Sequence, residues 1–143
     1  MPESATHLSL VQDIVDYIEN RFSVLAGLIV LTDLPTSERA DKPPRVGGYA
    51  PDVYAAEVPR TTVLIGEAKT ADDLTTSHSR DQIAAFLKFL SYQQRGILVL
   101  AVPWQCVPAA RIVLASARRS LNCDSSRVET VVLDGIVTPK VNS

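Results

Sequence analysis

Three side chains in this sequence could together handle a divalent cation and a phosphate: Asp52, Glu67 and Lys69. The run Thr-Thr-Val-Leu-Ile-Gly-Glu-Ala-Lys at residues 61–69 is apolar and β-branched until it ends in a carboxylate and an ammonium two positions apart. Side chains alternate faces along a strand, so Glu67 and Lys69 emerge on the same side. Asp52 heads a second apolar run, and antiparallel pairing of the two strands sets it beside the end of the first. Hard divalent cations take oxygen ligands. Two carboxylates and the Ala68 backbone carbonyl make a partial shell for Mg²⁺ or Mn²⁺, to be completed by water and substrate. Such an ion stabilises charge on phosphoryl oxygens and generates a nucleophile from bound water. Lys69, a mobile point charge, would orient that water or neutralise the pentavalent phosphate. Pro-Asp is also a common turn dipeptide, and a Glu-x-Lys face is often merely solvated. Their conjunction on two separately recognisable strands, with fourteen residues between Asp52 and Glu67, favours a site.

The elements that must position these residues follow from periodicity. Residues 7–22 place Leu8, Val11, Ile14, Val15, Ile18 and Phe22 at three- and four-residue intervals, which predicts an amphipathic helix. Residues 26–34 read as a first strand ended by Pro35, and residues 36–50, rich in Pro, Gly and charge, as a long connection. Strands are predicted at 52–58 and 61–69, joined by a Pro-Arg turn, then a polar loop at 70–77 and a helix over 80–94. A wholly apolar strand at 96–102, a helix at 107–121 and a strand at 128–133 complete the chain. The fold class is α/β: a mixed central sheet flanked by helices, in a single domain over residues 1–143.

Composition narrows the function classes. The chain is 143 residues, 46% hydrophobic and 21% charged, without a low-complexity linker or an internal repeat. Its apolar stretches fall short of the ~20 residues that span a bilayer, so no membrane partner is expected. Glu3 and the amphipathic start do not resemble a secretory leader, and Cys106 and Cys123 lack metal-ligand spacing, which suits free buried thiols in a cytoplasmic protein. Net charge is −2, yet it is unevenly spread: residues 1–75 hold twelve acids and six bases, residues 76–143 four acids and eight bases. Carboxylates for a cation and a basic face for phosphate could therefore coexist, as could simple scattered surface charge. Arg80 and His78 fall at a helix start, where backbone amides favour phosphate; Arg80 is a candidate phosphate contact and His78 reads as a surface histidine. Lys42 and Arg45 in the long connection, close to Tyr49, are candidate DNA contacts, with an incidentally charged linker as the alternative. Trp104 and Tyr92 read as core or helix-flank residues.

Pro51-Asp52 followed by Glu67-Ala68-Lys69, in the order helix, three strands, helix, strand, resembles the PD-(D/E)XK nuclease superfamily over residues 7–102. The resemblance implies a restriction-endonuclease-like core, similar to Holliday junction resolvases, extended here by a further helix and strand. It implies a Mg²⁺-dependent endonuclease or exonuclease hydrolysing DNA phosphodiester bonds, with Asp52 and Glu67 as metal ligands and Lys69 as the catalytic lysine. Many members add an acid from the first helix; Glu19 lies at the helix end far from the corner, so Gln12 ranks above it and the helical acid is expected to be absent. Exonuclease-type members carry a glutamine on the helix after the lysine, matched here by Gln82, with Phe86 where that pattern has tyrosine. Gln82 equally suits a capping box with Ser79. DNA is the implied partner, in a homodimer or a larger DNA-processing complex. The competing reading is a non-catalytic nucleic-acid-binding or assembly domain that keeps the nuclease fold.

Overall fold

The apolar runs pair into one five-stranded sheet whose two faces are each covered by helices. The computed structural model describes residues 5–25, 27–35, 42–57, 61–121 and 127–135. In chain order these form α1 (Ala5–Arg21), β1 (Ile29–Thr32), β2 (Val53–Ala56), β3 (Thr62–Ala68), α2 (Ala71–Leu74), α3 (Ser77–Ser91), β4 (Arg95–Pro103), a 3-10 turn (Trp104–Cys106), α4 (Val107–Arg119) and β5 (Glu129–Gly135). Spatial strand order equals chain order. β1, β2 and β3 run antiparallel, whereas β3, β4 and β5 run parallel. The mixed α/β sheet expected from the sequence is thus the observed one.

β3 and β4 show no polar alternation because both of their faces are buried. Val63 and Ile65 of β3 and Leu98, Leu100 and Val102 of β4 pack under Ile83, Phe86 and Leu87 of α3 and Val113 and Leu114 of α4. Leu64, Ile97 and Val99 face the opposite way, onto Leu10, Val11, Ile14 and Ile18 of α1. Gly66 permits the close approach of α1: a Cβ there would meet Ile14 Cγ2 at 2.5 Å and Val53 Cβ at 3.2 Å. The glycine interrupting the apolar run just before Glu67 is therefore a packing requirement of the helix above it.

The boundaries differ from expectation in ways that bear on the site. β1 is only four residues long, so Asp33 and Leu34 lie beyond it. The start of the first predicted strand at Ala26, residues 36–41 of the long connection, the Pro59-Arg60 turn and Cys123 lie outside the described residues. The helix predicted over 80–94 begins at Ser77 instead, because Thr76 caps it, its Oγ1 accepting from the Ser79 N–H. A short helix, α2, occupies part of the expected loop. Cys106 is half-buried and free. Trp104 and Tyr92, read as core or helix-flank residues, are 59% and 69% exposed; both fall just past the end of an element, where no neighbouring helix covers them.

One consequence of this wiring concerns polarity. α3 feeds into the start of β4 and α4 begins at its end, so the two helix N-termini lie at the end of the sheet where β3 and β4 finish. The first turn of α1 lies there too, as its contact with Asp52 shows. Three positive helix ends thus surround one end of the sheet. Among the described residues, no helix is long and apolar enough to cross a membrane.

Candidate active site

The β2–β3 register sets Val53 opposite Gly66, so the next pair beyond the ladder is Asp52 and Glu67. Each carboxylate reaches across to the other strand's backbone. Asp52 Oδ2 accepts from the Ala68 N–H at 2.9 Å, and Glu67 Oε1 accepts from the Asp52 N–H at 3.2 Å. These reciprocal bonds tie both side chains to the sheet end. The second oxygen of each faces a side chain: Asp52 Oδ1 lies 3.4 Å from His7 Nε2, and Glu67 Oε2 lies 3.3 Å from Lys69 Nζ.

Glu67, Lys69 and Gln82 are all buried, an arrangement that needs pairing because a buried charge is expensive unless satisfied. Glu67 and Lys69 share the face that carries Ile65, which is the face α3 covers. Gln82 on α3 meets them there, its Oε1 accepting from Lys69 Nζ. With Thr76 as the helix cap, Gln82 does not close a capping box with Ser79. The ammonium thus has both Glu67 and Gln82 as partners.

Burial pushes the Glu67 carboxyl up to about 8, and the neighbouring Asp52 charge adds to the rise, while Lys69 and the Asp52 N–H oppose it. Two carboxylates are therefore crowded into a poorly hydrated corner with one ammonium between them and the interior. That donor chemistry fits a hard divalent cation. Among the described residues no group of three or more His, Cys, Asp or Glu side chains is disposed to hold a metal. A cation here would rest on two carboxylates, with carbonyl and water oxygens completing its shell.

Two residues at this corner were not anticipated. Asp33 follows β1 immediately, and since Thr32 pairs with Val53 it lies next to Asp52 across the sheet end. Its carboxyl is raised by partial desolvation and by the Asp52 charge, with Lys42 and His7 opposing. His7 comes from the first turn of α1, on the buried face shared with Val11, Ile14 and Ile18. The expectation that this helix's N-terminus approaches the corner holds, but the residue delivered is His7. Gln12 is exposed and donates to Asp16 Oδ1 at 2.9 Å, and Glu19 is exposed beside Phe22, Ser23 and Leu25 near the helix C-terminus, so neither joins the site.

The candidate nucleic-acid contacts are spread around the corner. Lys42 is exposed and its charge acts on Asp33, which sets it at the same rim. Arg45 donates to the Gly48 carbonyl at 2.6 Å and so braces the turn at residues 46–49. That turn packs on α3 through Tyr49, whose ring makes edge contacts with His78 and Phe86 at centroid distances of 5.5 and 6.4 Å. Arg80 is exposed in the first turn of α3.

No family model matches the chain, and no curated protein matches it. Among solved structures it is similar to SfsA of Pyrococcus furiosus, determined in complex with Ca²⁺, at 15% identity and a TM-score of 0.49. The match covers 86% of this chain and 55% of that one, so this chain spans little more than half of its length. At that score and identity the likeness carries no argument about activity.

Proposed function

We propose that this protein is a divalent-cation-dependent nuclease of the PD-(D/E)XK type, hydrolysing DNA phosphodiester bonds at the Asp52–Glu67–Lys69 corner. The observation that carries the reading is a buried lysine, held between Glu67 and Gln82, beside a carboxylate that repels its neighbour. A structural role for these groups would be served more cheaply by apolar side chains of similar volume, since buried ion pairs add little stability.

Asp52, Glu67 and the Ala68 carbonyl would hold Mg²⁺ or Mn²⁺. When bound, such a cation stabilises charge on phosphoryl oxygens and lowers the pKa of a coordinated water. The chain's own residues do the rest. Lys69 Nζ has three protons to donate; with Gln82 and Glu67 accepting two, the third is available to the attacking water or to a non-bridging phosphate oxygen. Gln82 is a positioning residue that keeps the ammonium aimed. The backbone bonds to Asp52 and Glu67 fix the carboxylates in advance of substrate, which is what preorganised catalysis needs. Arg80 and Lys42, at the rim, would take flanking phosphates.

A second reading has one observation in its favour. Every carboxylate oxygen of Asp52 and Glu67 already faces a protein partner, and the first helix supplies His7 instead of an acid. A domain that binds DNA without cutting it could keep that closed arrangement. Incubation with supercoiled, linear, branched and single-stranded DNA in Mg²⁺, Mn²⁺ or chelator separates the two. Cation-dependent cleavage that is lost in both Asp52→Ala and Lys69→Ala supports the nuclease; DNA binding unaltered by Lys69→Ala, with no cleavage under any condition, supports the binding domain.

A further inference from the structure

The aromatic residues at the surface divide sharply between the two ends of the molecule. Tyr92 caps the C-terminus of α3 and lies at the end remote from the carboxylates. Trp104 opens the 3-10 turn that follows β4, at the same end as the carboxylates. The Lys69 N–H bonds the Ala101 carbonyl at 3.0 Å, and Trp104 stands three residues beyond Ala101. Trp104 thus stands just past the end of the β3–β4 ladder, at the end of the sheet where the corner lies.

Neither hydrophobic core includes Trp104. The side chain is more than half exposed, while its backbone is gripped between β4 and α4. A large π-face is thus offered to solvent from a rigid support. Arg80 is exposed in the first turn of α3, a helix whose positive end faces this same end of the sheet. An aromatic platform on a surface that also carries a cation for the phosphate backbone is the combination that recognises single-stranded nucleic acid. Closed duplex cannot use it, because its base faces are hidden in the stack.

We infer that Trp104 is a stacking platform for an unpaired base of the strand presented to the corner. The substrate class is then DNA with single-stranded character: a single strand, a flap or the frayed arm of a branch. This inference rests on the nuclease reading above and narrows it.

Trp104 is the only tryptophan of the chain, so its emission reports the contact directly. The full chain, in chelator so that no strand is cut, is titrated with an oligothymidylate and separately with a blunt, closed hairpin duplex. Tryptophan emission and the anisotropy of a dye on the DNA are followed together. Emission should be quenched in step with oligothymidylate binding and unchanged by the hairpin. Trp104→Ala should weaken oligothymidylate binding by about tenfold and leave hairpin binding as it was, the effect of losing one stacked base. Trp104→Phe should keep most of the affinity, and Tyr92→Ala all of it. Oligothymidylate binding without quenching, or equal weakening of both DNAs by Trp104→Ala, overturns the stacking role and leaves the nuclease reading intact. Failure to bind either DNA overturns both.

Discussion

Two acid–base pairs of nearly equal length stand at opposite ends of the sheet. Lys69–Glu67 spans 3.3 Å with side chains 7% and 5% exposed, and Arg95–Glu129 spans 3.1 Å with side chains 44% and 53% exposed. Distance alone would make them equivalent, but solvent makes them different objects. At the far end, β4 and β5 both begin with a charged residue that water can solvate, and the pair is a minor, salt-screened contact. At the corner the charges have been taken out of water, and the repulsion between Glu67 and Asp52 is left for some other charge to relieve. A fold seeking only stability would place its charges as the far end does. The contrast supports the function proposed for the corner, and each of the following experiments presses on it.

The largest effect is expected from Lys69→Met. Removing one partner of a buried pair costs about 3–5 kcal/mol, because the other charge is left uncompensated. The loss should be seen in chemical denaturation at alkaline pH, where Glu67 is ionised, and should shrink in mildly acidic buffer, where it is protonated. Cleavage should fall by about 10²–10³-fold, the usual consequence of deleting one donor to developing charge. A Lys69→Met protein as stable as wild type at every pH would mean that the corner is solvated after all.

A pH titration of stability, without divalent cation, comes next. The Glu67 carboxyl lies near 4.5 when unfolded and is raised to about 8 in the fold. The folded state therefore binds the proton more tightly, so the stabilising contribution is complete below about 4.5, declines through the interval and is gone above about 8. Glu67→Gln should flatten that decline. Mg²⁺ should restore stability most at the alkaline end, since a cation needs the ionised carboxylate and expels its proton on binding. Identical pH profiles for wild type and Glu67→Gln would remove the electrostatic argument for a cation.

Gln82→Met probes the same pair from the helix side. A hydrogen bond to a charged group is worth about 1.5–3 kcal/mol, and its loss leaves one Lys69 proton without an acceptor. Stability should fall within that range. Cleavage should fall less than in Lys69→Met, because the ammonium remains but is no longer aimed. A Gln82→Met protein with unchanged cleavage would reduce Gln82 to a packing residue.

How much of this corner could be read from the sequence depended on the range of the rule involved. Glu67 and Lys69 were legible because alternation along a strand is local, and Asp52 because two adjacent strands with a short connection pair in one way. Asp33 was hidden inside a predicted strand that proved to be four residues long; only the β1–β2 register shows it beside Asp52. His7 required knowing how far the first helix extends and how closely Gly66 lets it approach. Gln82 had two local explanations, and the Thr76 cap, which moved the helix start, removed the capping box. Of the two readings of Trp104, the flank of a helix holds and the core does not, because residue type predicts burial only where an element exists to cover it. The strands and helices themselves were recovered nearly throughout, since each rests on its own periodicity.

The smallest expected effect, from Glu129→Gln, is the control on which the comparison depends. This change removes the ion pair while Arg95 keeps its place over the Phe22 ring, 5.6 Å from the centroid, so the packing of the far end is untouched. An exposed pair contributes about 0.2–1 kcal/mol, and the difference between variant and wild type should vanish near 1 M salt, where the screening length falls to about 3 Å. Cleavage should not change, because Glu129 is at the start of β5 and the corner is at the end of β3. The Lys69→Met loss, by contrast, should survive the same salt, since ions in solution do not reach a buried pair. If instead the Glu129→Gln loss persisted in high salt, or rivalled that of Lys69→Met, burial would not be what separates the two ends, and the case for a functional corner would have to rest on cleavage alone.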